Sequence, residues 1–303
     1  MTSRAVVLLS TFNGAAYLRE QLASLVAQSH RDWRLIWRDD GSRDDTVAML
    51  CGFAATQPVG RVERLEAPGE RVGSAASFLA LLRHAAPGLG PEDIVAFADQ
   101  DDVWLEFKLA RAVARLGAGD PAISSARQVL VDADLRRLGV SDLVVPPVGF
   151  PAALIQNLAI GCTVALNRAG AVLVAGSVAP AGCQHDWWAY LLVTAAGGRF
   201  IADAEPVVLY RQHGGNEVGA PRSFVRRALA ALRRGPGAFM RLMRENVAAL
   251  DAQRALLAPE ARAELDRIKA ALAGGPLGRL RVGGLRRQGR AEQVLFRLWY
   301  LLG

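Results

Sequence analysis

The sequence predicts an α/β protein, a mostly parallel sheet with helices on both faces, followed by a basic helical tail. Short apolar runs alternate with amphipathic stretches four times over the first 120 residues, the pattern of strands joined by right-handed crossovers. One of those runs, Ile94-Val95-Ala96-Phe97-Ala98, is apolar at every position between charged flanks, as a strand buried on both faces is. The polar clusters Ser10–Gly14, Asp39–Ser42 and Asp99–Asp102 each follow such a run. They therefore share one rim, outside the carboxyl ends of the strands, where open α/β sheets bind ligands.

In chain order, Ala5–Leu9 reads as the first strand, and Tyr17–Gln28 places Leu18, Leu22, Leu25 and Val26 on one helical face. Trp33–Trp37 is the second strand. Asp44 and Asp45 stand at the start of the next helix, where acidic side chains suit the macrodipole. Arg61–Leu65 is a third strand, Ala75–His84 a helix, Ile94–Ala98 the fourth strand and Leu105–Leu116 an amphipathic helix. Beyond residue 120 the pattern changes. Ile123–Val131 followed by Asp132-Ala133-Asp134 suggests a hairpin, Gly161–Asn167 a short strand, and His185–Ala195 a helix. Phe200–Ala202 and Val207–Tyr210 read as two short strands, the second emptying into Arg211-Gln212-His213-Gly214-Gly215-Asn216, a loop able to close over a ligand or serve as a plain turn. Pro236, Pro259 and Gly274-Gly275-Pro276 punctuate the helical tail.

Composition narrows the class. A 303-residue chain with 51% hydrophobic and 21% charged residues is globular. Its net charge of +7 is unevenly spread. Residues 1–221 hold 19 Lys+Arg against 23 Asp+Glu, a net of −4, and residues 222–303 hold 17 against 6, a net of +11. The acidic rim and the confinement of positive charge to the tail argue against a nucleic-acid-binding protein. Cys51, Cys162 and Cys183 are odd in number and lack CxxC spacing, so neither a disulfide framework nor a zinc site is expected, and reduced cytosolic thiols are the simplest account. The opening apolar run is too short for a signal peptide, and the longest apolar stretch, Leu154–Val174, is broken by Gln156, Asn157, Asn167 and Arg168. With two lysines among 36 basic residues, the composition is that of a GC-rich bacterium.

Asp99, Asp101 and Asp102 put three carboxylates within four residues. Crowded like charges repel by about 1–4 kcal/mol per adjacent pair, depending on screening. A fold keeps such a cluster where something positive arrives, most often a hard divalent cation held by oxygen ligands; a solvated turn that caps the next helix is the other reading. No GxGxxG or GxxxxGK[ST] follows the first strand, which argues against a dinucleotide fold or a P-loop. Asp40 offers a carboxylate for the N3–H of a uracil or thymine ring, with backbone groups around Thr11 and Phe12 for the rest of the base.

Taken in order, STFNGAAYLREQL (10–22), DDGSRDDT (39–46), DQDDVWLEFKL (99–109), GCTVALN (161–167), HDWW (185–188) and YRQHGGN (210–216) resemble the family 2 glycosyltransferases, above all the branch described as rhamnosyltransferases. The likeness spans about residues 4–219. It implies a GT-A fold, with a Rossmann-like sheet, over residues 1–221: a nucleotide-binding half (1–119) and an acceptor-binding half (120–221), ahead of a basic helical region (222–303). It implies inverting transfer of a sugar, L-rhamnose from dTDP-L-rhamnose, to a saccharide acceptor, lipid-linked in many such enzymes, in surface polysaccharide synthesis. By this resemblance Thr11, Phe12, Asn13, Asp40 and Asp99 bind the nucleotide, and Asp101 and His213 hold Mg²⁺ or Mn²⁺, a phosphate contact or a loop hydrogen bond being the other roles open to His213. Asp186 stands at the position of the general base, where capping its helix is the alternative role. Asp102, Trp187, Trp188 and Arg211 are candidate sugar or phosphate contacts, the tryptophans otherwise being core. The chain departs from the family pattern at Ser77-Phe78, where Asn-Phe is usual, and at Ala126, where an Asp is usual.

The tail reads three ways: lying on anionic lipid at the inner face of the cell membrane with Leu295, Phe296, Leu298, Trp299 and Leu301 as its apolar side, binding nucleic acid, or packing as a helical lid or dimer contact. A magnesium-dependent nucleotidyl or phosphoryl transferase is the competing enzyme class. Phosphatases with a DxD motif carry it after their first strand, and nucleotidyl transferases of related shape have a glycine-rich basic first loop, which STFNG is not.

Overall fold

The computed structural model describes residues 3–66, 71–214, 224–280 and 284–302. Four parallel strands, β1 (Ala5–Thr11), β2 (Trp33–Asp39), β3 (Val62–Arg64) and β4 (Ile94–Ala98), alternate with α1 (Leu18–Val26), α2 (Thr46–Ala55) and α3 (Ser74–Ala85). Then come β5 (Val103–Trp104), α4 (Lys108–Leu116), β6 (Ala122–Val131), β7 (Arg137–Val140), β8 (Ala165–Asn167), α5 (Arg168–Ala175), α6 (His185–Ala195) and β9 (Arg199–Arg211). The C-terminal region is helical: α7 (Phe224–Ala252), α8 (Pro259–Ala273), α9 (Gly275–Leu280) and α10 (Arg290–Leu302). Among the described residues all nine strands join one sheet, in the order β3-β2-β1-β4-β8-β6-β9-β5, with β7 on β6.

Strand periodicity builds a core on each face of the sheet. Val6 and Leu8 of β1, with Val95 and Phe97 of β4, enter one core. Their neighbours Ala5, Val7, Leu9, Ile94, Ala96 and Ala98 enter the other, as the two-residue alternation of side chains requires. The first core holds α3, α5 and α6; it also takes Met240, Met243 and Leu250 of α7, Leu265 and Ile268 of α8, and Phe296 and Tyr300 of α10. The tail helices therefore pack on the same face of the sheet as α6. The second core is covered by α1, α2 and α4.

The structure departs from the sequence reading in three places. Beyond β4 the sheet is mixed: β8 runs antiparallel to both β4 and β6, while β6 and β9 are parallel. The two short strands expected at 200–202 and 207–210 are one strand, β9. Its apolar pattern is broken by Asp203, Glu205 and Pro206, and the register against β6 shifts at that point, a bulge that accommodates a proline with no ladder hydrogen to give. Pro236 does not end a helix, because α7 runs through it; a missing N–H removes one bond from a 29-residue helix.

Candidate active site

The carboxyl ends of β1, β2 and β4 open onto one cavity of about 750 Å³, closed on its far side by the 157–162 segment and the first turn of α6. Thr11, Phe12, Asp40, Asp99, Asp101 and Asp186 all line it.

On the β1–β2 side two aspartates divide the work. Asp39 closes its own turn, accepting from the Gly41 and Ser42 amides at 3.0 and 2.7 Å and from the Thr11 hydroxyl at 3.0 Å. Asp40 faces the cavity. It is buried and accepts from Arg38 Nη1 and from the Val72 and Gly73 amides, each at 2.8 Å. Burial works to raise its pKa, and the Arg38 and amide hydrogen bonds together outweigh it, leaving the carboxyl below its ordinary value. The Phe12 amide and carbonyl are both taken by the Gln100 carboxamide, at 2.9 and 3.0 Å. Gly14 permits this pairing, since a Cβ there would come within 2.2 Å of Gln100 Oε1. Arg71 lays its guanidinium over the Phe12 ring at 3.8 Å and brings a positive charge to the cavity wall. Asn13, with a φ of 47°, lies outside the cavity lining and joins two loops, accepting from the Arg43 amide at 2.9 Å.

β5 pins the acidic turn. Its pairing with β9, Val103 to Leu209 and Trp104 to Val208, brings the end of β9 under Asp99–Asp102. His213 Nε2 reaches Asp101 Oδ2 at 2.8 Å. The Arg211 Nε donates to the Asp101 carbonyl at 2.9 Å, and its backbone amide donates to Asp102 Oδ1 at 3.2 Å. Arg211 is buried, with its guanidinium over the Tyr17 ring, so it braces the turn from behind and does not line the cavity. Burial, together with Asp102 and Asp101, pushes Asp99 well above the carboxylate range. Burial and Asp101 push Asp102 up to about 7. Lys108 is buried beside them, donating to the Cys162 carbonyl at 2.6 Å with its ammonium 3.2 Å from the Trp104 ring centroid; burial lowers its pKa to about 7.

Across the cavity Asp186 stands in the first turn of α6, nine-tenths buried. Burial pushes its pKa up to about 6, against hydrogen bonds from the Trp187 amide, the Asn157 side chain and the Gly161 amide. A carboxylate so poised suits proton abstraction near neutral pH. Trp188 is wholly buried and gives its ring N–H to Ser177 at 2.8 Å, so its face is closed to a sugar. Trp187 gives its ring N–H to the Ala153 carbonyl at 2.7 Å and packs against the core. Neither tryptophan lines the cavity. Gly215 and Asn216 lie outside the described residues.

Several residues of the site are silent in the sequence. Lys108 reads as part of the polar face of an amphipathic helix, and Gln100 and Gly161 read as spacers. The signal for His185 was only its place before Asp186.

A sheet of this order, with a cavity of about 750 Å³ at the carboxyl ends of its parallel strands and carboxylates converging on it, defines a GT-A fold. The chain belongs to glycosyl transferase family 2, whose family model matches residues 6–164. It is 26% identical over 222 residues to a dTDP-rhamnosyl transferase, RfbG, of Shigella flexneri, covering 71% of this chain and 75% of that one. Among solved structures it is similar to S. aureus TarS residues 1–349 in complex with UDP-GlcNAc, with a TM-score of 0.58 and 15% identity over 88% of this chain and 70% of that one. It is also similar to the mannosyltransferase PcManGT of Pyrobaculum calidifontis in complex with GDP-Man and Mn²⁺, with a TM-score of 0.53 and 20% identity over 99% of this chain and 86% of that one.

The acidic residues fit a hard divalent cation. Ligand atoms of Asp99, Asp102 and Cys162 lie within 4.8 Å of one another, and one oxygen of buried Asp102 has no partner at hydrogen-bond geometry. Crowded carboxylates with raised pKa values are a set that a cation relieves. Cys162 is the poor member, because burial pushes its thiol well above its ordinary value and hard ions prefer oxygen. Asp99 and Asp101 are the carboxylates of the cluster that reach the cavity.

Proposed function

We propose that this chain is an inverting, divalent-cation-dependent glycosyltransferase that moves L-rhamnose from dTDP-L-rhamnose to a saccharide acceptor in surface polysaccharide synthesis. The observation that carries this reading is the convergence of Asp40, the Asp99–Asp101 turn and Asp186, from three distant segments, on one cavity. The rhamnosyl donor is favoured by the RfbG relative. In the proposed reaction Asp40 receives the base and Asp99 the ribose. Asp101 and His213 would hold Mg²⁺ or Mn²⁺, which when bound offsets the charge of the leaving diphosphate. Arg71 reaches the same cavity with a further positive charge. Asp186 takes the proton of the acceptor hydroxyl as its oxygen bonds to the anomeric carbon, and the bond from that carbon to the diphosphate oxygen breaks. One base on the face opposite the leaving group gives inversion.

We place the reaction in the cytoplasm, at the inner face of the membrane. No helix among the described residues is long and apolar enough to cross a membrane. A peripheral contact is supported by α10, where Val294, Leu298 and Leu302 stand exposed beside the exposed arginines 290 and 297.

The test is release of free nucleoside diphosphate from dTDP-L-rhamnose, UDP-GlcNAc and GDP-mannose, each with and without Mn²⁺ or Mg²⁺. The expected result is slow, metal-dependent release, fastest from dTDP-L-rhamnose. Pyrophosphate production from a nucleoside triphosphate, with no release from any sugar nucleotide, overturns the reading.

A further inference from the structure

His185 lines the cavity, and the mechanism above gives it no work. The residue is only 7% exposed, and its Nε2 is buried with no hydrogen-bond partner. Aromatic rings hold the imidazole on two sides. It stacks on Phe78 at 4.1 Å between centroids and meets the edge of Phe97 at 4.9 Å. In front of it the chain has a glycine: a Cβ on Gly161 would lie 3.6 Å from His185 Nε2 and 3.2 Å from Asp186 Oδ2. The space kept open by Gly161 is therefore shared by the imidazole and the proposed base.

A buried polar atom with no protein partner calls for an explanation, and one that lines an open cavity is placed for a ligand to supply the missing bond. We infer that His185 Nε2 hydrogen-bonds a hydroxyl of the donor sugar, with Phe78 and Phe97 fixing the ring and Gly161 leaving room for the sugar beside Asp186. This rests on the glycosyltransferase reading and adds to it the residue that grips the sugar itself. Burial pushes the His185 pKa down to about 3, so the ring is neutral. A neutral imidazole offers one donor and one acceptor, which suits a hydroxyl and contributes no charge for a diphosphate. The donor is favoured over the acceptor because both aromatic supports belong to the nucleotide side: Phe78 lies on α3, just beyond the Gly73 amide that binds Asp40, and Phe97 lies on β4, which ends at Asp99.

The test compares two dissociation constants on the full chain with Mn²⁺ present, measured by calorimetry: that of dTDP-L-rhamnose, UDP-GlcNAc or GDP-mannose, whichever binds, and that of its free nucleoside diphosphate. His185→Phe keeps the aromatic stack and removes the hydrogen bond. The expected result is a rise of about tenfold in the ratio of the sugar-nucleotide constant to the diphosphate constant, with diphosphate binding and the thermal midpoint little changed. His185→Gln, which restores a polar group at that place, should recover part of the ratio. An unchanged ratio in His185→Phe overturns the inference. Equal weakening of both ligands also overturns it, because the residue then serves the nucleotide or the fold. Failure of the unaltered chain to bind any of the three sugar nucleotides is a different outcome: it removes the glycosyltransferase reading, and this inference with it.

Discussion

His213 Nε2 lies 2.8 Å from Asp101 Oδ2, tying the residue two places beyond β9 to the turn beyond β4. These residues are 112 positions apart in the chain, and the two-residue strand β5 is what delivers one to the other. The contact joins an imidazole to a carboxylate already crowded by two others, at the place where a cation would relieve all three.

If His213 is a metal ligand, His213→Ala should raise the Mn²⁺ concentration needed for half-maximal donor binding by about tenfold or more. Donor affinity at saturating Mn²⁺ should change much less. Calorimetric titrations of donor at a series of Mn²⁺ concentrations would read this. An unchanged metal requirement with a lower thermal midpoint would make His213 a loop anchor only.

Asp186 links activity to stability with opposite signs. As a base it must be ionised, so kcat/KM should rise with pH through about 6 and then level. Asp186→Asn should lower turnover by about a hundredfold to ten-thousandfold and leave donor binding intact. For folding, a pKa raised from 3.8 to about 6 favours the protonated form. That contribution is fully present below pH 3.8, is lost as pH rises through about 6, and leaves the ionised folded state strained above it. Asparagine cannot ionise, so the variant should be more stable than the parent chain by up to about 3 kcal/mol at pH 8 and by roughly half of that at pH 5. Urea unfolding at the two pH values checks this, and a variant equally or less stable at pH 8 would refute the burial argument.

The parallel half of the fold is legible because each strand is a short apolar run that ends in a polar cluster, and β1 and β4 bury both faces. The mixed half hides for local reasons. β8 is three residues long. β9 carries Asp203 and Glu205 in mid-strand, and Asp203 is held there by Arg111 and Arg115 of α4, a partnership that no local pattern records. The cavity carboxylates Asp40, Asp99, Asp101 and Asp186 stand out from sequence because each follows a strand or opens a helix. Lys108, Gln100 and His185 do not, since their environments are set by segments far away: Cys162 for the lysine, Phe12 for the glutamine, and Phe78 for the histidine. Of the two roles the sequence leaves open to Trp188, sugar contact or core, the structure has the core, where its ring N–H is held by Ser177.

Arg38 and Asp40 form a buried pair, their side chains 6% and 4% exposed, at 2.8 Å. Removing one partner strands the other, so Arg38→Met should cost roughly 3–5 kcal/mol at pH 7. The pH dependence is the sharper test. In the parent chain Asp40 sits below its ordinary pKa, so it adds stability above pH 3.8 that is lost as pH falls through the lower folded value. Without Arg38, burial is opposed mainly by the Val72 and Gly73 amides, and protonation of Asp40 becomes a relief. The stability gap between variant and parent should therefore narrow between pH 7 and pH 4.5. A gap of equal size at both values would mean that Asp40 is indifferent to Arg38.

The C-terminal helix decides how the tail meets its surroundings. The sequence reading placed Phe296 among the lipid-facing residues, but Phe296 and Tyr300 are each 2% exposed and enter the core, with Phe296 edge-on to Phe239. What α10 leaves outside is Val294, Leu298 and Leu302, at 62%, 52% and 78% exposure and four residues apart, a stripe on one helical face. Arg290 and Arg297 are exposed on the same helix, the arrangement of an interfacial helix on an anionic surface. The full chain should therefore sediment with phosphatidylglycerol vesicles and far less with phosphatidylcholine vesicles. Each arginine is worth about 1 kcal/mol at such a surface, so replacing both by alanine should weaken binding by roughly 30-fold and flatten its salt dependence. Leu298→Asp should also weaken it while leaving donor binding unchanged, because the residue is solvent-exposed and is not among those lining the cavity. Equal binding to neutral and anionic vesicles would leave the arginines without this role, and no binding to either would make the stripe an ordinary surface.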